Sequence, residues 1–539
     1  MKQPTVRLIV AAVFATLGAV HAEVVDIERL LLPGDRHLNQ HFGYSVAISG
    51  GTAVVGVPED ALQVGAAYVY NKIGSSNWVQ IQKLVPAQAG TNDLVGISVA
   101  IENDLLAIGA PGFNPGSTNF VGSPGSVYVF QRDTNGVWQP QARLTAPDPQ
   151  RNDRFGVSVA MSQQSLVIGA SFHSDFGSTN NGSIYVFDFT AIGWQLAAKI
   201  TPNDLTNNSN FGQRVAMDGS TLVAGAASSL LSTGPVFTVT SRGAAYVYLR
   251  SETDPFFRPW NLQQKLVPTN AARADQFGFS VALSGDTALV GAPFSSAGGS
   301  VYAFERNNGS WTQETQIVSS NLASGDNFGF SISMLGNRAL IGASGKTTND
   351  FSGLGAAYIF EQADTNWFEQ QELLPLQNGN NFQFGFSAAV GGQAMLVGAS
   401  SATIRNGTGA AYAFSGSQSI LSIVSATATP SLLIVQDRSL VPVTITVSTT
   451  GTNVTSRIIS VSSNQAAVGR GPNGDTPDWV ITGDLTLLLR AEGDDNVDVD
   501  RVYNIVVQST DSFGNTATTT VPVTVPHTLG GVATVPLTP

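Results

Sequence analysis

The chain has 539 residues, 42% of them hydrophobic and only 12% charged, with no cysteine and a formal net charge of −12. Without cysteine there can be no disulfide, thiolate metal site, iron–sulfur cluster or cysteine nucleophile. The negative balance repels phosphate backbones and argues against nucleic acid as a partner, while the length allows several domains and a large buried core.

The first 22 residues read as an export signal. Lys2 and Arg7 make a basic start, Leu8–Val20 is apolar, and Val20-His21-Ala22 puts small residues at the spacing of a cleavage site. The apolar run is shorter than the roughly 20 residues of a helical span. The expected mature protein is therefore secreted or at the cell surface, extracellular or periplasmic, with no membrane span.

Residues 23–416 repeat one pattern. In the copy FGFSVALSGDTALVGAP, Phe279, Val281 and Leu283 alternate with small residues, which is strand period. Ser284-Gly285-Asp286 is a turn, and Thr287–Val290 is a second strand closed by Gly291-Ala292-Pro293. A third strand follows at Gly299–Phe304, and a fourth runs from Trp311 to about Val318. The opening pair recurs as Phe42-Gly43, Val95-Gly96, Phe155-Gly156, Phe211-Gly212, Phe277-Gly278, Phe328-Gly329 and Phe384-Gly385, at spacings of 51 to 66 residues. The second strand ends in VVGVP, AIGAP, VIGAS, VAGAA, LVGAP, LIGAS and LVGAS, and third strands such as GAAYVY and GSVYVF follow each. Trp78, Trp138, Trp194, Trp260, Trp311 and Trp367 announce fourth strands.

Four short strands with two apolar faces need neighbours on both sides, and stacked copies in a ring supply them while protecting the edges. The expectation is an all-β chain whose first domain, 23–416, is a seven-bladed β-propeller. The last copy ends at Phe414 without a Trp strand. Val24–Pro33, VVDIERLLLP, matches Val79–Pro86, VQIQKLVP, so the N-terminal segment is expected to latch onto the last blade as its outer strand.

At these motifs the sequence resembles the FG-GAP repeat family, the repeats of integrin α-chain propellers and of many bacterial surface proteins. The resemblance covers about residues 23–416 and implies the propeller fold; it leaves the activity open, because one fold hosts many functions. Integrin-type repeats often carry a DxDxDG calcium loop between the first two strands. Here those turns read ISGGT, IENDL, MSQQS, MDGST, LSGDT, LGNRA and GGQAM. None alternates the carboxylates that a calcium ion with about six to eight oxygen ligands requires.

Composition shifts after Phe414. Residues 417–430 are expected as a linker rich in Ser, Ala and Thr, followed over 431–526 by a β-sandwich and over 527–539 by a tail. VPVTITVSTTG, TSRIISVSS, WVITGDLTLLLRAE, RVYNIVVQSTD and TATTTVPVTV read as five strands. The run from Arg501 to His527 resembles the closing strands of bacterial immunoglobulin-like or cadherin-like modules. Asp494, Asp498 and Asp500 fall on alternate positions and are a candidate calcium site, although a solvated hairpin tip fits the same residues. No other cofactor is expected.

Catalytic signals are few. The G-x-S-x-A pattern recurs at Ser45, Ser98, Ser158, Ser280, Ser331 and Ser387, and six equivalent serines on strands are architecture rather than a nucleophile elbow. Arg214 replaces the serine in the fourth copy, either facing the channel or pairing with a carboxylate. His173 lies in a loop near Asp175, and the five histidines form no metal or triad motif. The residues Gly342–Thr347 contain GKT but lack a phosphate-loop spacing. The chain is expected not to be an enzyme.

What remains is a binding or adhesion protein whose partner is an extracellular protein or glycan. Loops that vary on a rigid scaffold are where recognition concentrates. The long ones here are Pro111–Pro124 and Ala227–Arg242, and Phe113, Phe120 and Phe237 are the candidate ligand-binding residues. A structural matrix component without a discrete ligand, or an enzyme acting on polysaccharides, are the alternatives.

Overall fold

The computed structural model describes residues 25–35, 40–74, 77–112, 123–227, 231–232, 237–238, 242–251, 258–270, 272, 274–377, 379–392, 394–401, 408–416, 422–433, 439–450, 454–465, 478–492, 499–510 and 516–526. These residues form an all-β chain with one helical turn, Asp60–Gln63. No described helix is long and apolar enough to cross a membrane.

The copy opening at Phe277 shows how the repeat folds. Ser280–Ser284 pairs with Thr287–Ala292 across a Gly-Asp turn, that strand with Ser300–Asn307, and that one with Ser310–Ile317, all antiparallel. Thr287–Ala292 is buried on both faces, which is why its sequence is almost continuously apolar. The outer strand Ser310–Ile317 alternates exposed and covered residues, with Trp311 and Ile317 inside.

Among the described residues the repeats give seven four-stranded sheets. We number them one to seven by their first strands: Ser45–Ser49, Ser98–Glu102, Phe155–Ser162, Val215–Asp218, Ser280–Ser284, Phe328–Leu335 and Phe384–Val390. Six take their strands in chain order. In sheet seven, Phe384–Val390, Met395–Ala399 and Ala410–Gly416 are followed in space by Val25–Leu31, antiparallel to Ala410–Gly416 with Ile27 opposite Phe414 and Leu31 opposite Ala411.

The repeated residues meet where one sheet faces the next. In six of the seven opening pairs the glycine carbonyl accepts a hydrogen bond from the serine of the preceding sheet: Ser45 to Gly96 at 2.8 Å, Ser98 to Gly156 at 2.8 Å, Ser158 to Gly212 at 2.7 Å. Ser280 donates to Gly329 at 2.6 Å, Ser331 to Gly385 at 2.8 Å, and Ser387 to Gly43 at 2.8 Å. The same carbonyl lies against the glycine that ends the second strand. A Cβ on Gly169 would stand 1.9 Å from the Gly212 oxygen, and one on Gly342 1.9 Å from the Gly385 oxygen. The phenylalanine then wedges between sheets. Phe155 packs edge-on to Tyr185 at 5.4 Å in its own sheet and shares an apolar cluster with Val127 and Val129 of sheet two.

The C-terminal residues form two antiparallel sheets with one apolar core between them. Ser422–Thr429, Leu440–Thr450, Thr486–Arg490 and Trp479–Gly483 make one; Thr455–Ser463, Arg501–Thr510 and Thr516–Val525 make the other. Val443, Ile445, Leu487 and Leu489 face Tyr503, Ile505, Val507, Val521 and Val523. Two expectations need correction. The stretch 417–430, read as a linker, contains the strand Ser422–Thr429, whose Ala426 and Ala428 pack on this core. The alanines face the core, while Ser425, Thr427 and Thr429 are exposed on the other face of the strand. WVITGDLTLLLRAE, read as one strand, is two, reversed between Gly483 and Thr486. A buried charge is neutralised inside: the Arg501 guanidinium pairs with Asp478 at 2.5 Å and also donates to Ser463 at 3.1 Å and the Glu492 carbonyl at 3.1 Å.

Candidate functional site

Residues from the first strands of all seven sheets line one pocket of about 170 Å³. One turn places the residue that follows each Phe-Gly pair. The residue before the pair has a left-handed backbone, from φ 53° at Asn210 to φ 60° at Asn327. Its carbonyl accepts the N–H three residues on: His41 from Tyr44, Asn210 from Gln213 and Gln383 from Phe386, each at 3.1 Å.

The lining is not symmetric. Tyr44, Phe330 and Phe386 line it, and with Phe279 beside Phe330 they form an aromatic arc, with ring centroids 4.9 Å apart for Tyr44–Phe386, 5.1 Å for Phe330–Phe386 and 4.9 Å for Phe279–Phe330. Ile97, Val157 and Gln213 take the equivalent places in sheets two, three and four. Arg214 stands at one end of the arc, its guanidinium carbon 6.0 Å from the Phe279 centroid. Its Nη1 donates to the Gln213 carbonyl at 2.9 Å, and no carboxylate pairs with it among the described residues. Burial pushes its pKa below the ordinary arginine value, and the Tyr44 phenol is the other ionisable group acting on it. The six serines are engaged on glycine carbonyls, and among the described lining residues Arg214 is the one charged side chain. Nearby in the repeat, Arg154 lies with its guanidinium carbon 3.5 Å from the centroid of the Phe172 ring, and burial lowers its pKa to about 10.

A second repeated set surrounds the buried tyrosine near the start of each third strand. In sheet one the Lys83 ammonium lies 2.5 Å from Asp35 and 2.6 Å from Asp60, and Tyr68 donates to Asp35 at 2.7 Å. In sheet three Lys199 is 2.6 Å from Asp148, 2.5 Å from Asp175 and 3.1 Å from His173 Nε2. In sheet six the charges change places: Lys346, from the loop after the second strand, donates to the Asn321 carbonyl at 2.7 Å, and the outer strand carries Glu372. In sheet seven the set is apolar, with Leu30 and Phe382 beside Tyr412. Burial disfavours the charged lysines, but hydrogen bonds to Asp35 and Asp60 outweigh it for Lys83, and those to Asp148 and Asp175 for Lys199, so both pKa values rise. Asp35, Asp148 and Asp204 lie below the usual carboxylate value: burial opposes this, and their lysine and tyrosine hydrogen bonds overcome it.

His173 belongs to this set. Its sequence neighbour Asp175 is only part of its surroundings, because the side chain is fully buried with Nδ1 3.0 Å from Asp153 Oδ2. An ammonium can only donate, so Nε2 accepts from Lys199 and Nδ1 carries the proton toward Asp153. A ring in that state has no lone pair left for a substrate proton.

The other expected site residues are placed unevenly. Phe113 and Phe120 lie outside the described residues. Phe237 falls in a two-residue strand, Phe237–Thr238, paired with Leu231–Ser232. Asp494 and Asp498 also lie outside, while Asp500 is exposed and its carbonyl accepts from Asn464 at 3.0 Å. Among the described residues no group of three or more His, Asp or Glu is arranged to hold a metal ion. The aromatic arc was missed in the sequence, although its signal is there: the third letter of F-G-x-S is aromatic in four copies and not in three.

A family model for the FG-GAP repeat matches residues 28–70, 78–130, 138–187, 194–248, 260–304 and 311–360. The chain belongs to the FG-GAP repeat family. Each matched FG-GAP segment begins on or near an outer strand and ends on the third strand of the next sheet, so the first begins within Val25–Leu31. The serine, glycine and phenylalanine contacts are the physical content of the motif, and the chain carries an FG-GAP repeat β-propeller. No curated protein matches this FG-GAP chain.

Proposed function

We propose that this chain is an exported binding protein, secreted or held at the cell surface. Its seven sheets form one propeller ring closed by Val25–Leu31, and an immunoglobulin-like sandwich follows as spacer or docking module. The observation that carries the reading is the asymmetric pocket on which all seven first strands converge. Contacts between sheets require constancy, and the repeat keeps it. The pocket lining changes from sheet to sheet, which a scaffold does not need and recognition does.

Binding is favoured over catalysis because the candidate reactive groups are engaged. The repeated serines donate to glycine carbonyls, and His173 Nε2 accepts from Lys199. The test uses the full chain, immobilised and presented with extracellular proteins and glycans. Saturable binding that weakens when Phe330→Ala and Phe386→Ala are combined is the expected result. Binding indifferent to those changes, or turnover of a glycan by the unaltered chain, overturns the proposal.

A further inference from the structure

The fourth sheet breaks a rule that the other six keep. Gly225 still abuts the Gly278 carbonyl, where a Cβ would stand at 2.0 Å, so the junction itself is retained. The serine hydroxyl that should reach that carbonyl is absent, and a guanidinium facing the pocket stands in its place. A position that departs from a consistent local rule without a structural gain is where a functional demand is expected.

We propose that the pocket binds a carboxylate joined to an apolar or aromatic body, with the carboxylate on Arg214 and the body against Tyr44, Phe330 and Phe386. This rests on the reading of the pocket as a binding site. Arginine presents five donors in a planar fork that matches a carboxylate. One of them is engaged, on the Gln213 carbonyl. The described residues offer no acid to the others, and the lowered pKa of Arg214 fits a cation without a counter-charge.

Two other ligand classes satisfy the pocket less well. The aromatic faces attract cations, but Arg214 already sets one over Phe279, and a second would meet it across an apolar wall where like charges repel strongly. A neutral apolar ligand would cover the guanidinium and leave it desolvated and unpaired. A free small acid and a carboxylate at the end of a protein chain share the required chemistry.

Calorimetric titration of the full chain with phenylacetate, phenylacetamide and phenethylammonium tests the inference. Phenylacetate is expected to bind at least about tenfold more tightly than the amide, as a charge-assisted bidentate pair implies. Arg214→Ser, which installs the residue of the other six copies and should fold, is expected to remove that preference, and Arg214→Lys to keep part of it. Equal binding of the amide or the ammonium, an unaffected Arg214→Ser, or no binding of any of the three overturns the proposal. A peptide ending in a free phenylalanine carboxylate, compared with its amide, separates the sources: preference for the acid supports a protein-borne ligand, and exclusion of the peptide while phenylacetate binds supports a free acid. Loss of the carboxylate preference while Phe330→Ala with Phe386→Ala still weakens a macromolecular partner would sink this inference alone and leave the broader binding proposal standing.

Discussion

The junction between sheets three and four and the junction between sheets four and five share their glycines and differ in one side chain. In the first, Ser158 donates to the Gly212 carbonyl at 2.7 Å. In the second, Arg214 makes no such bond and turns to the pocket. Both junctions keep the close approach of two glycine backbones and the packed phenylalanine, and these contacts are expected to supply most of what holds them. The hydroxyl adds a smaller increment, and that increment is what the fourth sheet gives up.

Four measurements would break or sharpen this comparison. Gly169→Ala or Gly342→Ala drives a methyl into a backbone oxygen 1.9 Å away; a loss of about 3 kcal/mol in chemical denaturation is expected, at the upper end of overpacking costs. Retained stability would mean that glycine contact does not hold the junctions. Ser158→Ala or Ser280→Ala removes a buried donor and should cost about 1 kcal/mol each, with the two adding independently. Arg214→Ser should move the other way, gaining roughly 0.5 kcal/mol if the hydroxyl finds the Gly278 carbonyl. A drop in melting temperature would show that the guanidinium has a structural duty of its own.

The smallest effect separates the charged tyrosine sets from the apolar one. Asp35, Asp148 and Asp204 have folded pKa values below the ordinary aspartate value of 3.8. Their contribution is complete above that value and is lost as pH falls through the lowered one. Lys83 and Lys199 lie above 10.5, so their contribution is complete below it and is lost as pH rises through the raised value. Stability should therefore be flat across neutral pH and fall at both extremes. Replacing both lysines by Met should flatten the alkaline limb; an unchanged limb would mean that these partly exposed pairs are too screened to matter.

Local signals in the sequence reached the repeat because strand period, turn residues and glycines are local. They also reached the pairing of Val25–Leu31 with Ala410–Gly416, because the N-terminal segment matches the outer strand that the last copy lacks. Ser422–Thr429 was misread since alanine, serine and threonine serve close-packed strands and loose linkers alike. His173 was illegible for another reason: Asp153 and Lys199 lie 20 and 26 residues away and reach it only through the sheet. The aromatic arc was visible as letters, but that Tyr44, Phe330 and Phe386 share one pocket follows from the way the sheets are arranged.

The pairing of Val25–Leu31 with Ala410–Gly416 also bears on how the protein is made. The first of these strands leaves the ribosome long before its partner exists, a wait on the order of 20 to 80 s at about 5–20 residues per second. Sheets one to six can form in order meanwhile, each packing against the next glycine backbone as it emerges. Sheet seven cannot. A chain that stops short of Ala410 leaves Val25–Leu31 without its partner, so this early segment reports whether synthesis has passed the seventh sheet.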